Sequence, residues 1–153
     1  MKSATAAATK RAQFGGFNFE SECVDAISPP SRQTILVLED DMLLALDMED
    51  YLLNRGFYVQ GPYARIDDAL RDIPSSKLAG AIVDLNLNGE FSFPVIELLK
   101  SVQVPVIVCS GYAELPELKA RLKGVPMLAK PWCPQKLDSL VREIFLIPNM
   151  TRA

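Results

Sequence analysis

The sequence predicts an α/β fold: a doubly wound parallel sheet made of five β-α units. Three observations predict it. Short runs that are apolar at every position recur from Thr34 onward, as expected for strands buried on both faces. Amphipathic stretches of helical period separate them. Polar residues able to carry chemistry stand directly after the first, third, fourth and fifth runs.

In order, the elements read as follows. Ile35-Leu36-Val37-Leu38 is the first strand, and Met42 to Asn54 the first helix, with Gly56 just past its end as a stop signal. Asp47, Glu49 and Asp50 give that helix a solvated face beside Leu44, Met48 and Leu52. Tyr58-Val59-Gln60 is more polar and suits an edge strand. A second helix is expected near Arg65 to Ile73, ended by Pro74. Ala81-Ile82-Val83 is the third strand. A third helix follows near Phe93 to Ser101, with Ser92 as N-cap candidate and Pro94 tolerated in the first turn. Val104 to Val108 is the fourth strand, Glu114 to Lys123 the fourth helix, Val125 to Ala129 the fifth strand and Pro134 to Phe145 the fifth helix. Strict β-α alternation and right-handed crossovers lead to the flavodoxin-like (βα)5 arrangement with strand order 2-1-3-4-5, whose ligand site lies at the carboxyl ends of the strands.

Composition narrows the function. The chain has 153 residues, 49% hydrophobic and 23% charged, with a net charge of −3. These are the proportions of an ordinary globular chain. They give no basic face for direct nucleic-acid binding, and no apolar run is long enough to insert in a membrane. Histidine is absent, which removes Ser-His-Asp triads, histidine metal ligands and histidine as a phosphoryl carrier. Cys23, Cys109 and Cys133 form no CxxC pair and no disulfide framework, and a cytoplasmic location is expected. Residues 1–33 are rich in Ala, Ser and Thr, with Lys2, Lys10 and Arg11 but no acid before Glu20. They read as a disordered extension, with a transit-like segment as the alternative. Ser28-Pro29-Pro30-Ser31 marks a boundary. The domain is expected over 34–147, followed by a tail at 148–153.

After the first strand come Glu39-Asp40-Asp41. Asp84 ends the third and is followed by Leu85-Asn86. Ser110-Gly111 follow the fourth, and Lys130-Pro131 the fifth. Taken singly each has an ordinary explanation: acids opening a helix, an Asp in a turn, a Ser-Gly turn pair. Taken together they place two acids, a hydroxyl and an ammonium at one crevice. Carboxylates crowded there need a cation, and oxygen ligands suit Mg2+. A carboxylate can itself attack a phosphoryl group to form an aspartyl phosphate, a transfer that needs charge stabilisation more than acid–base chemistry.

At these residues the chain resembles the receiver domain of two-component response regulators, over about residues 33–146. The resemblance rests on ILVLEDD at 35–41, AIVDLNL at 81–87, VPVIVCSGY at 104–112 and MLAKPW at 127–132. It implies that Asp84 accepts a phosphoryl group from a sensor histidine kinase. Asp40, Asp84 and the backbone carbonyl of Asn86 would ligate Mg2+, and Glu39 would reach it through water. Asp41 would cap the first helix, and Ser110 and Lys130 would contact the phosphoryl group. A cis bond before Pro131 is also implied. The position three before the lysine, often aromatic in receivers, is Met127 here. Val108-Cys109-Ser110-Gly111-Tyr112 is similar to the Phe-Ala-Thr-Gly-Tyr signature of FAT-GUY receivers, which implies a mobile fourth helix and a kinase of the HWE or related class. Only seven residues follow Leu146, so output is expected through a downstream protein partner, with Tyr112, Leu115 and Trp132 as contacts, or as a phosphate sink. The domain would not be an enzyme beyond self-catalysed phosphorylation and dephosphorylation. The alternatives are a haloacid-dehalogenase-like phosphatase, which normally has an acid where Asn86 stands, a flavodoxin-like FMN carrier, and a degenerate receiver acting as a binding module.

Overall fold

Five strands pair in parallel into one sheet of order 2-1-3-4-5: β1 (Thr34–Leu38), β2 (Tyr58–Tyr63), β3 (Gly80–Asp84), β4 (Val106–Ser110) and β5 (Met127–Ala129). The computed structural model describes residues 32–111 and 115–146. Most of the extension expected over 1–33, the tail at 148–153 and Tyr112 lie outside them. The helices are α1 (Met42–Asn54), α2 (Ile66–Asp72), α3 (Phe93–Ser101), α4 (Pro116–Arg121) and α5 (Pro134–Phe145).

Strand side chains alternate between two cores because successive residues point to opposite faces. Leu36, Leu38, Ala81, Val83, Val106 and Val108 pack with α2, α3 and α4. Ile35, Val37, Ile82, Ile107, Cys109 and Leu128 pack with α1 and α5 through Met48, Tyr51, Leu52, Leu137, Val141 and Phe145. β3 and β4 are buried at every residue, whereas the edge strand β2 has no buried residue. Each fully buried Leu or Ile contributes roughly 1.5–3 kcal/mol, and apolarity on both faces leaves the strand ends as the place for polar groups.

The boundaries of α1, α3 and α5 are as the sequence predicts. Asp41 caps α1, its carboxylate accepting from the Leu43 and Leu44 amides. Ser92 stands at the N-cap position of α3 without a side-chain capping bond; its hydroxyl donates instead to the Asp84 carbonyl at 2.5 Å. β4 starts at Val106, later than expected, because the carbonyl of Pro105 opens the ladder by accepting from Ala81 N. β5 starts at Met127, since Val125 N turns back to Leu122 O. α4 is shorter at both ends: Leu115 is extended before Pro116, and Leu122 closes it. After α2, Ile73–Ser75 form a 3-10 turn that takes up Pro74. One element is new. Asn86–Leu87 pairs antiparallel with Glu90–Phe91, and Asn88 (φ 51°) and Gly89 (φ 91°) make the turn, the Asn-Gly pair being a strong hairpin signal. The Lys130–Pro131 bond is cis, as is Gly61–Pro62.

Between β1 and β2 the register slips: Leu36 pairs with Gln60 but Leu38 with Tyr63. β2 therefore carries one extra residue, a bulge, which realigns it so that Tyr63 O accepts from Glu39 N at 2.8 Å. Gly61 makes this possible. Its φ is +99°, and a Cβ would lie 2.7 Å from both Tyr63 N and Val37 O. Gly61→Ala is expected to lower the unfolding free energy by about 1–3 kcal/mol. Urea titration checks this, and an unchanged midpoint would show that the bulge yields.

Candidate functional site

Register alone brings the polar residues together. Leu38 pairs with Val83, so Glu39 follows beside Asp84. Asp84 pairs with Cys109, which sets Ser110 one step further along. Ser110 pairs with Ala129, and Lys130 N then donates to Ser110 O at 3.1 Å. Four neighbouring strands thus deliver their first polar residues to the same end of the sheet.

The side chains meet there. Lys130 Nζ donates to Glu39 Oε2 at 2.5 Å and to Asp84 Oδ2 at 2.9 Å. Asp84 Oδ1 accepts from Asn86 N at 3.3 Å, and Glu39 Oε1 from Asp41 N at 3.1 Å. Glu39, Asp84 and Ser110 are buried, at 8%, 6% and 1% exposure, while Asp40 is half-buried. Glu39, Asp40 and Asp84 each offer a carboxylate oxygen, all within 4.8 Å of one another.

Three acids thus meet in a partly dehydrated crevice, and one ammonium bonds two of them. Burial raises the Glu39 pKa, and the Lys130 hydrogen bond only partly opposes it. Burial also works against the Lys130 ammonium, but its bonds to Glu39 and Asp84 outweigh this and raise its pKa. The Cys109 thiol beside them is pushed up to about 12, chiefly by burial, so it is a packing residue and no nucleophile.

Comparison with known proteins bears on the fold. No family model matches the chain. It is 28% identical over 121 residues to the phyllosphere-induced regulator PhyR of Methylorubrum extorquens, which covers 77% of this chain and 45% of PhyR. The chain therefore spans less than half the length of that relative. The solution structure of SdrG from Sphingomonas melonis Fr1 superposes with a TM-score of 0.65 at 27% identity, covering 76% of this chain and 98% of that one. The receiver domain of Erythrobacter litoralis PhyR gives a TM-score of 0.70 at 22% identity, covering 80% and 96%. The fold is that of a response-regulator receiver domain.

Within that receiver fold the site residues named from sequence lie as follows. Glu39, Asp40, Asp84 and Lys130 converge. Ser110 is at the buried end of β4 between Asp84's strand and Lys130's strand. Asn86 opens the hairpin, its side-chain carbonyl accepting from Gly89 N at 2.7 Å. Met127 is half-buried against the core on the α2–α4 side. The acid set suits a hard divalent cation: oxygen donors only, buried on one side and open at Asp40. Sequence reasoning missed the bond of the Ser92 hydroxyl to the backbone of Asp84, and the hairpin, for which Asn88-Gly89 was an available signal.

Removing the ammonium tests these electrostatics. Lys130→Met leaves buried carboxylates uncompensated and is expected to destabilise the divalent-free domain by about 3 kcal/mol near neutral pH. A raised Glu39 pKa means that the folded state binds the proton more tightly than the unfolded chain. Stability is therefore lost as pH rises from the ordinary value of 4.5 through the raised one, and regained as pH falls. Without Lys130 that upward shift grows. The deficit against wild type should therefore shrink as pH is lowered from neutral toward 4.5, measured by urea unfolding in chelator.

Proposed function

We propose that this domain accepts a phosphoryl group on Asp84 from a sensor histidine kinase, with Mg2+ held by Asp40, Asp84 and the Asn86 backbone carbonyl, and by Glu39 through water. The observation that carries the reading is the convergence of Glu39, Asp40 and Asp84 with Lys130 at the carboxyl end of a parallel sheet. A carboxylate oxygen of Asp84 attacks phosphorus. The new O–P bond forms as the donor's N–P bond breaks, and the leaving imidazole keeps the electron pair. Lys130 turns from its two carboxylates toward a phosphoryl oxygen, and the Ser110 hydroxyl donates to another. Bound Mg2+ supplies the remaining charge neutralisation.

Partner docking fits the surface. Met42 and Leu43, beside the crevice, are each 72% exposed, which suits a protein donor. On the output side, exposed Leu115 and a groove lined by Lys119, Met127, Pro131, Cys133 and Lys136 fit a downstream protein. Trp132 is a poorer contact than the sequence suggests, because it is half-buried against Tyr51. The domain acts in the cytoplasm as a phosphoacceptor switch or phosphate sink, not as an enzyme on a separate substrate, and a histidine kinase of the HWE or a related class is its donor. No helix among the described residues is long and apolar enough to cross a membrane. A dehalogenase-like phosphatase is disfavoured because the Asn86 amide is not acidic enough to act as a general acid, and its side-chain carbonyl is engaged in the hairpin turn.

Incubation with acetyl phosphate and Mg2+, followed by intact mass, should show addition of one phosphoryl group. Asp84→Asn should abolish it, and Asp40→Asn should raise the Mg2+ requirement about tenfold or more. Labelling that survives in Asp84→Asn would remove Asp84 as acceptor.

A further inference from the structure

Lys130 is carried by residues 130–133, a segment in no helix or strand. At one end it is tied by Lys130 N to Ser110 O, and at the other by Leu137 N to Cys133 O, both at 3.1 Å. Between these ties it is held by the Lys130 bonds to Glu39 and Asp84 and by the packing of the Trp132 side chain. Trp132 packs on the core beside α1 and α5 and lines a small cavity with Glu39, Met48, Asp84 and Cys109. Its ring meets Tyr51 edge-on, with centroids 5.7 Å apart and planes at 71°.

Tyr51 is itself held on several sides. Its hydroxyl donates to Asp138 Oδ1 at 2.8 Å, from α1 to α5. The Arg55 guanidinium lies 4.1 Å from its ring centroid, and Arg55 Nε donates to the same Asp138 oxygen at 2.5 Å. Arg142 Nε reaches Asp138 Oδ2 at 3.3 Å. Burial, then the Asp138 bond, pushes the Tyr51 hydroxyl up to about 12. Arg55 and Tyr51 hold the Asp138 carboxyl below its usual range. The hydroxyl therefore stays a donor and the carboxylate an acceptor at neutral pH. Packing alone would need only an apolar ring here. A hydroxyl fixed on a charged carboxylate of another helix sets the ring's orientation as well as its volume.

We propose that Tyr51, fixed by Asp138, is a positioning residue for the acceptor site: it holds Trp132, and through Trp132 the Lys130 ammonium, in register with Glu39 and Asp84. This rests on the reading of Asp84 as acceptor. Groups that stabilise a transferring phosphoryl must be placed to a fraction of an ångström, and a loop cannot supply that without such an anchor.

Trp132 is the sole tryptophan, so its emission reports on the segment directly. The experiment titrates beryllofluoride with Mg2+ into the full chain, followed by Trp132 emission and by calorimetry, well below the melting temperature of every variant. Tyr51→Phe and Asp138→Leu should each weaken binding about tenfold, as for outer residues that orient a site. The double variant should be no weaker than the weaker single one, because both changes remove the same bond. In Trp132→Leu, read by calorimetry, adding Tyr51→Phe should cause no further loss. A merely structural role would lower the melting temperature and leave the affinity of the folded protein unchanged. Wild-type affinity in Tyr51→Phe, or an added loss in Trp132→Leu, overturns the inference while leaving the acceptor reading intact. Failure of the wild type to bind beryllofluoride overturns both.

Discussion

The Lys130 ammonium between Glu39 and Asp84 is the constraint on which the crevice depends. Two carboxylates with under a tenth of their surface exposed could not both stay charged side by side without a cation. A single ammonium answers two of them, and Asp40, nearer solvent, is left over. The site thus has an unbalanced negative charge by construction. That excess is what the proposed Mg2+ would offset, and it would have to be offset before a further charged group could enter.

The scaffold exists to hold this charge pattern at the end of an otherwise apolar sheet. Every residue of β3 before Asp84 and of β4 before Ser110 is apolar and buried, so the strands cannot shift by one residue without burying a polar group or exposing a core one. The pairing of Leu38 with Val83 and of Ser110 with Ala129 is therefore what fixes the distances among the acids and the lysine. Asp41 caps α1 and spends its carboxylate on two amides, which separates its role from those of Glu39 and Asp40 despite the shared run of acids.

How much of this could be read beforehand follows the range of the interactions. Strand order, the limits of α1, α3 and α5, and the convergence of Glu39, Asp40, Asp84 and Lys130 all follow from period and from residues adjoining apolar runs, and they were legible. The starts of β4 and β5 were not, because they depend on which carbonyl opens the ladder next to Pro105 and Pro126. Ser92 was read as a cap because local chemistry allows that; its actual bond, to a carbonyl eight residues back, depends on how α3 folds over β3. The contact of Tyr51 with Asp138 spans 87 residues, and nothing in either segment announces it.

The two sides of the site differ in how firmly they are held. Toward α1 and α5, the lysine segment is backed by Trp132, Tyr51 and a carboxylate that accepts from two donors and pairs with Arg142. Toward α4 the backing is thin. That helix has six residues with Leu118 buried among them, and Arg121 stacks over Phe93 at 3.5 Å as an exposed cation on a ring, a weak contact. Phe93 follows Ser92, which grips the backbone of Asp84, so this side too is connected to Asp84. A change of charge at Asp84 meets resistance on one flank and little on the other. Elements held by few contacts open first, so the unequal backing of the two flanks sets which of them can yield to a change of charge at Asp84.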